Sequence, residues 1–150
     1  MTADQLRALQ APVKNLYREN PDRARLTLRA SGTLDQDRII CSVRSFTGPV
    51  PSGLHEAVGG DGQDACAGDM LLQALVGCAG VTLKAVATAM NITIRSGMIQ
   101  AEGAMDFRGT LGVSKEVPVG FQTIHLRFEL DTDASPDGEH DLLVRRHRCG

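Results

Sequence analysis

One apolar run, from Asp69 to Met90, constrains the fold of this chain more than any other segment. Apolar side chains fall nearly all the way round a helix of this sequence, which predicts a helix enclosed on most sides. The run is long enough to raise the question of a membrane span, but it contains Gln73 and Lys84. Because a Lys at the centre of a membrane helix costs about 2.5–3.5 kcal/mol, we expect a core helix of a protein that does not bind membranes.

Alternating patterns before and after the run predict strands. Apolar residues alternate from Arg25 to Leu34, and strand character returns from Arg38 to Phe46 after a polar turn, which together favour an antiparallel hairpin. The segment from Gly48 to Gly68 is rich in Gly and acidic residues and is expected to be a long loop, of the kind that is often functional or disordered. Asp69 follows it, where a helix cap or first-turn acid is favourable.

Two further strands are expected beyond the helix, over Ile92–Phe107 and Phe121–Leu130. The second alternates well, and one of its faces is nearly all apolar and should point to the core; that face consists of Gln122, Ile124, Leu126, Phe128 and Leu130. Residues 3–19 are expected to form a short amphipathic helix that is interrupted, or starts again, at Pro12, within an N-terminal helical extension over residues 1–23. The tail over 136–150 is irregular and is interpreted as an altered or shortened C-terminus.

These elements predict a single α+β domain over residues 1–150, with a long central apolar helix packed by antiparallel sheet. About five strands bury such a helix poorly, and Gly77 and Gly80 each cost about 1 kcal/mol relative to Ala unless another backbone packs closely. A homodimer whose two copies share one core is the expected solution.

The composition and charge of the chain argue against a nucleic-acid-binding protein. The formal net charge is −2, Lys and Arg are spread along the chain, and Trp is absent, so neither a basic stripe nor a stacking platform for nucleic acid is present. The N-terminus lacks the order of a signal peptide, which predicts a cytoplasmic protein. In a reducing cytosol, cysteines are more often catalytic, redox-sensing or metal-binding than structural.

Cys78, inside the predicted helix, is the strongest candidate for a reactive residue. A buried core thiol is the simpler interpretation, since free Cys is among the most buried residue types. A functional thiol must instead ionise beside a cation and be accessible to a small oxidant. Cys66 lies twelve residues earlier and could reach Cys78 only if the loop folded back. Cys41 is expected to pack as a small hydrophobe, whereas Cys149 in the tail could reach another thiol.

No metal site or cofactor site is predicted. The chain contains neither CxxC nor HExxH, and its four His residues are scattered. The glycines before the helix lack the Lys-Ser/Thr of a phosphate-binding loop.

Three segments together resemble the OsmC/Ohr family (osmotically inducible protein C-like and organic hydroperoxide resistance-like proteins). The stretch GDMLLQALVGCAGVTLKAVA is similar to the central-helix signature of the family, HEAVGGDGQDACAGD to the loop before it, and VPVGFQTIHLRFELDTDAS to a later strand and turn. The resemblance covers about residues 24 to 135, and the Cys-bearing helix is its most specific part.

The resemblance implies an OsmC-like α+β fold built as an intertwined homodimer with active sites at the subunit interface. In family members that reduce peroxides, the helical cysteine attacks the peroxide and becomes a sulfenic acid, which a second cysteine resolves to a disulfide. Cys78 matches the attacking position, and Cys149 or Cys66 would resolve it. Arg44 or Arg29 would help to ionise the thiol, and Asp69 stands beside Ala67-Gly68, where peroxidases of the family carry Pro-Glu.

Two hypotheses follow for function. The first is a cysteine-based peroxidase of oxidative-stress defence, reducing organic or hydrogen peroxides at the expense of a dithiol reductant. The second, motivated by the missing Pro-Glu pair and the irregular tail, is a non-peroxidatic OsmC-like protein that binds a small apolar ligand at the dimer interface. A purely structural module is the least favoured, because it gives the cysteines and the loop no role.

Overall fold

The long apolar segment forms a helix and the alternating segments form strands, in a computed structural model that describes residues 1–135 and Gly138. The helices are α1 (Ala3–Glu19), α2 (Ala67–Ala89) and α3 (Phe107–Thr110). The strands are β1 (Gly32–Leu34), β2 (Cys41–Ser45), β3 (Gly48–Gly53), β4 (Ala65–Cys66), β5 (Ile94–Met105) and β6 (Phe121–Thr132). Short 3-10 helices cover Pro21–Ala24 and Glu56–Val58.

Strands β1 to β4 form a four-stranded sheet in sequence order. The predicted hairpin is present: β1 and β2 are antiparallel, with Gly32 opposite Val43 and Leu34 opposite Cys41. It is shorter than predicted, because residues 25–31 lie outside the strand. The turn between the two strands is held by Asp35, whose carboxylate accepts the amides of Asp37 and Arg38 at 2.9 and 2.8 Å. These amides, that of Arg38 first, hold the pKa of Asp35 below its usual range.

The prediction of a loop from Gly48 to Gly68 is wrong at both ends. Its first residues form β3, which is antiparallel to β2. Near its other end, residues 65–66 form β4, which runs parallel to β3, and residues 67–68 begin α2. Gly and Pro disfavour strands in general, but Pro49 and Pro51 occupy a six-residue strand here. The remainder is ordered by a left-handed Gly59 (φ 91°) and by the His55 ring, whose Nδ1 accepts the Ala57 amide at 2.9 Å.

Strands β5 and β6 pair in a separate two-stranded sheet. The Thr93 amide donates to Asp133 at 2.7 Å, and Arg95 Nε donates to Asp131 at 2.9 Å. Because the partner position falls as the first strand advances, the pair is antiparallel. The predicted core face of β6 is confirmed for Leu126, Phe128 and Leu130, which are half-buried; Ile124, in contrast, is exposed.

The chain divides into two compact units, each built from segments that are distant in sequence. The first contains residues 1–27, residues 77–99 and the described residues from 128 onward. Its core consists of Leu83 and Ala87 of α2, packed by neighbouring apolar side chains that include Ile99, Phe128 and Leu130. α1 belongs to this unit as one continuous helix, capped by Thr2 and Gln5 in a capping box; Pro12 does not interrupt it.

The second unit contains residues 28–76 and 100–127, and therefore the four-stranded sheet and the first turns of α2. Here Gly68 of α2 lies against the Phe121 ring and the Met105 sulfur: a Cβ at position 68 would stand 3.3 and 3.8 Å from them. A Cβ at Gly103 would overlap the Phe121 ring. Glycine is thus required at position 103, where the Phe121 ring crosses β5. Glycine at position 68 allows α2 to approach the same ring closely.

α2 is far less enclosed than its composition predicts. Within the single chain only Leu83 and Ala87 of this helix are buried, whereas Leu71 and Val81 are 55% and 74% exposed. By length and apolar composition α2 could also cross a membrane, a test that core helices of soluble proteins pass equally well.

Candidate functional site

Cys78 lies near the middle of α2 and its side chain is exposed. The residues at 71, 74, 78 and 81 recur at helical spacing, so they fall on one face of α2, and all four are exposed. Next to the thiol, a Cβ added at Gly77 would meet no atom within 4 Å. The thiol therefore stands on an open apolar stripe of the helix and not in a packed core.

The two other described cysteines are both more enclosed than Cys78. Cys41 is half-buried in β2, and its sulfur would be 2.7 Å from a Cβ at Gly32; this agrees with its expected role as a small packed hydrophobe. Cys66 is half-buried at the end of β4, directly before α2, and its sulfur would be 3.6 Å from a Cβ at Gly68. Cys149, predicted as a resolving residue, lies outside the described residues.

The charged residues predicted to assist the thiol are on the surface. Arg44 is an exposed residue of β2, and its backbone amide donates to the Ser31 carbonyl at 2.9 Å. Asp69 is in the first turn of α2, where a carboxylate is favourable, and not at its cap, because the helix begins at Ala67. Cys78 is nine positions after Asp69 along the helix, an axial rise of about 13 Å, so the Asp69 carboxylate is not a neighbour of the thiol within one chain.

Within the described part of the chain, the side chains of Cys78, Arg44 and Asp69 form no hydrogen bond or ion pair. Cys78 belongs to the first compact unit, whereas Arg44 and Asp69 belong to the second. Arg29, the other predicted cation, is exposed in the segment before β1. The described residues contain no group of three or more His, Cys, Asp or Glu side chains that could hold a metal ion.

Sequence patterns missed the groups that order the loop before α2. Arg38, at the hairpin turn, donates to Asp64 at 2.7 Å, and the Asp64 side chain is only 11% exposed. His55 stacks on Phe107 with ring centroids 5.6 Å apart. Both contacts join residues that are far apart in sequence, so no local sequence motif predicts them.

The fold and part of the sequence match known proteins. Residues 60–148 match the sequence model of a family described as OsmC-like protein. An OsmC like protein from Mycoplasma pneumoniae has the same fold with a TM-score of 0.65 at 17% identity, over 83% of each chain. An osmotic stress induced and detoxification response protein from Psychrobacter arcticus 273-4 has a TM-score of 0.62 at 13% identity, over 83% of this chain and 85% of that one. No curated protein matches the chain in sequence.

Proposed function

Since this chain belongs to the family of OsmC-like proteins, we propose that it reduces organic or hydrogen peroxides in oxidative-stress defence through the thiol of Cys78. The observation that carries the proposal is the exposure of Cys78 on α2. A peroxidatic thiol must be reached by the oxidant, and the half-buried Cys41 and Cys66 are less accessible. The similarity to a structure described as a detoxification response protein supports the same class of function.

The proposed reaction uses two thiols of the protein and one external dithiol. The Cys78 thiolate attacks one peroxide oxygen, the O–O bond breaks, and the other oxygen leaves as an alcohol or water after taking up a proton. Cys78 is now a sulfenic acid, which condenses with a second thiol to form a disulfide and releases water. Cys149 is the proposed second thiol, with Cys66 as the alternative. A dithiol reductant then restores both thiols by exchange.

We also propose that a second copy of the chain covers the apolar stripe around Cys78. Leaving that stripe in water is unfavourable, because exposed apolar surface costs about 25 cal/mol per Å². A partner there would enclose the thiol and could supply the cation that ionises it. Arg44 and Arg29 are the proposed cations, since neither forms an ion pair among the described residues, and Asp69 is the proposed acid.

Peroxide consumption with a dithiol donor tests the proposal directly. Wild-type protein should consume peroxide catalytically. Cys78→Ser should lower the rate of consumption by about 100-fold or more, because the attacking sulfur is gone. Cys41→Ser should retain the wild-type rate. Mass spectrometry after one equivalent of peroxide should show Cys78 oxidised first. If Cys78→Ser consumes peroxide like the wild type, the proposal fails. Absence of turnover together with thermal stabilisation by a lipid-like molecule would favour the apolar-ligand hypothesis.

A further inference from the structure

A depression of about 400 Å³ opens on the sheet of the second unit, on one face of β1, β2 and β3. Thr33 is opposite Ser42 in the first strand pair, and Arg44 is opposite Pro49 in the second. Because side chains alternate between the faces of a strand and paired residues share a face, these four point to the same side of the sheet. Ser31, one residue before β1, also lines the depression.

The polar side chains of this depression have no hydrogen-bond partner within the described part of the chain. The hydroxyls of Ser31, Thr33 and Ser42 form no hydrogen bond there, and neither does the guanidinium of Arg44. The depression therefore offers three hydroxyl donors and one guanidinium fork. The Pro49 ring adds an apolar wall beside them.

No carboxylate lines the Arg44 depression, and this distinguishes it from two other depressions, formed by described residues, that contain an arginine. The depression around Arg38 also contains Asp61 and Asp64. The one around Arg23 also contains Glu19 and Asp22. An acidic lining repels an anion, whereas a lone guanidinium beside hydroxyls attracts one, and Arg is the side chain best suited to bidentate contact with carboxylate or phosphate.

The backbone around the depression is held in place before any ligand arrives. The Arg44 amide donates to the Ser31 carbonyl at 2.9 Å, which fixes the end of β2 against the segment that enters β1. In the turn from β2 to β3, the Ser45 hydroxyl donates to the Gly48 carbonyl at 2.7 Å. Since ordering costs reduce affinity, a fixed rim favours binding.

We propose that this face is a binding site for the anionic group, a carboxylate or a phosphate, of a small molecule. The Arg44 guanidinium donates hydrogen bonds to two oxygens of the anion. The hydroxyls of Ser31, Thr33 and Ser42 donate to the remaining lone pairs of those oxygens. The inference goes beyond the thiol chemistry proposed above and does not depend on it, because anion binding involves no cysteine and Arg29 remains as the cation proposed to ionise the Cys78 thiol.

Backbone amide NMR with inorganic phosphate and, separately, with propionate tests the site at constant ionic strength. Saturable shifts should centre on residues 31–33, 42–44 and 48. Arg44→Gln should weaken binding about tenfold or more, because it removes a charge-assisted fork. Ser42→Ala should weaken it less but measurably, which nonspecific attraction to a charged surface would not produce. Propionate and phosphate arms identify which anion the site prefers.

Arg23→Gln is the matched control, since it removes one exposed positive charge at a depression lined by carboxylates and should leave anion affinity unchanged. Thermal unfolding of each variant verifies that the fold is retained, and Arg44→Lys provides a second, charge-conserving variant with intermediate affinity. Shifts that do not saturate, or an equal loss of affinity in Arg23→Gln and Arg44→Gln, would overturn the inference.

Discussion

At the scale of single residues, glycines decide where the elements of the second unit approach each other. Gly103 in β5 provides the space that the Phe121 ring occupies, and Gly68 in α2 contacts the same ring. Phe121 is not part of the predicted core face of β6, but it is half-buried. One large ring is thereby enclosed by two positions that carry no side chain, in a protein with few aromatic residues.

Gly103→Ala is therefore expected to destabilise the protein. The added methyl would overlap the Phe121 ring, and overpacking of this kind costs about 1–3 kcal/mol. Chemical denaturation should show a lower midpoint with an unchanged slope. Gly77→Ala is the matched control within one chain, because a Cβ there meets nothing within 4 Å and alanine favours the helix by about 1 kcal/mol. Both variants are compared at a protein concentration at which the wild type is monomeric. Equal midpoints for wild type and Gly103→Ala would contradict this account of the ring.

At the scale of elements, the loop before α2 is held to the β1–β2 turn by Arg38, which forms ion pairs with Asp64 at 2.7 Å and with Asp61 at 4.0 Å. Arg38→Gln removes the partner of Asp64, whose side chain is mostly buried. Because Arg38 itself is half exposed, the expected loss is modest, about 1 kcal/mol. Amide hydrogen exchange should become faster across residues 54–66, while α1 stays unchanged.

Arg7→Gln serves as the control for Arg38→Gln. It breaks a pair with Asp4 in which both side chains are mostly exposed, so its effect on stability should be close to zero. If both variants exchange the loop amides at the wild-type rate, Arg38 does not hold the loop.

The end of the β5–β6 pair should be sensitive to acid. The guanidinium of Arg95 holds the pKa of Asp131 below its usual range, so the charged carboxylate is the form that the fold favours. Its contribution is complete above the ordinary carboxyl pKa and is lost as the pH falls through the lower, folded value. Unfolding measured from about pH 5 to pH 2 should show a steeper loss for wild type than for Asp131→Asn.

Glu102→Gln, at an exposed position of β5, should follow the wild-type acid profile and controls for the loss of one negative charge. A profile of Asp131→Asn that is superimposable on that of the wild type would show that the Arg95–Asp131 contact adds no stability.

The elements were predictable from sequence to unequal degrees. Periodicity predicted α1, α2, the β1–β2 hairpin and the core face of β6, because those signals depend on neighbours a few residues apart. It failed for β3 and β4, whose pairing with partners across the sheet overrides the low strand propensity of Gly and Pro. The same limit applies to the site: Cys78 is marked by its place in the helix, but the Arg38–Asp64 pair and the Arg44 depression depend on contacts that only the fold creates.

At the scale of the whole molecule, the exposed stripe of α2 predicts self-association. Wild-type protein should elute and scatter light as a dimer at micromolar concentration. Val81→Glu places a carboxylate on the stripe, and burying it without a partner costs several kcal/mol, so the dimer dissociation constant should rise about 100-fold or more. Multi-angle light scattering over a dilution series measures this change.

Val113→Glu is the matched control, because Val113 is a similarly exposed valine in the segment between α3 and β6 and its replacement should leave the dimer intact. A wild-type protein that stays monomeric at high concentration would contradict the proposed cover for α2. Dissociation by both variants would show that the interface is not confined to the stripe.

The junction between β4 and α2 has no connecting residue: Cys66 ends the strand and Ala67 begins the helix. Each residue of an α-helix turns the chain by about 100° and advances it by about 1.5 Å. Deleting Ala67 would therefore rotate the helix by that step and bring the carboxylate of Asp69 to the place where Gly68 now meets the Phe121 ring. Insertions and deletions, which ordinary surface loops tolerate, should therefore not be tolerated between β4 and α2. This junction determines which face of α2 is turned toward the Phe121 ring.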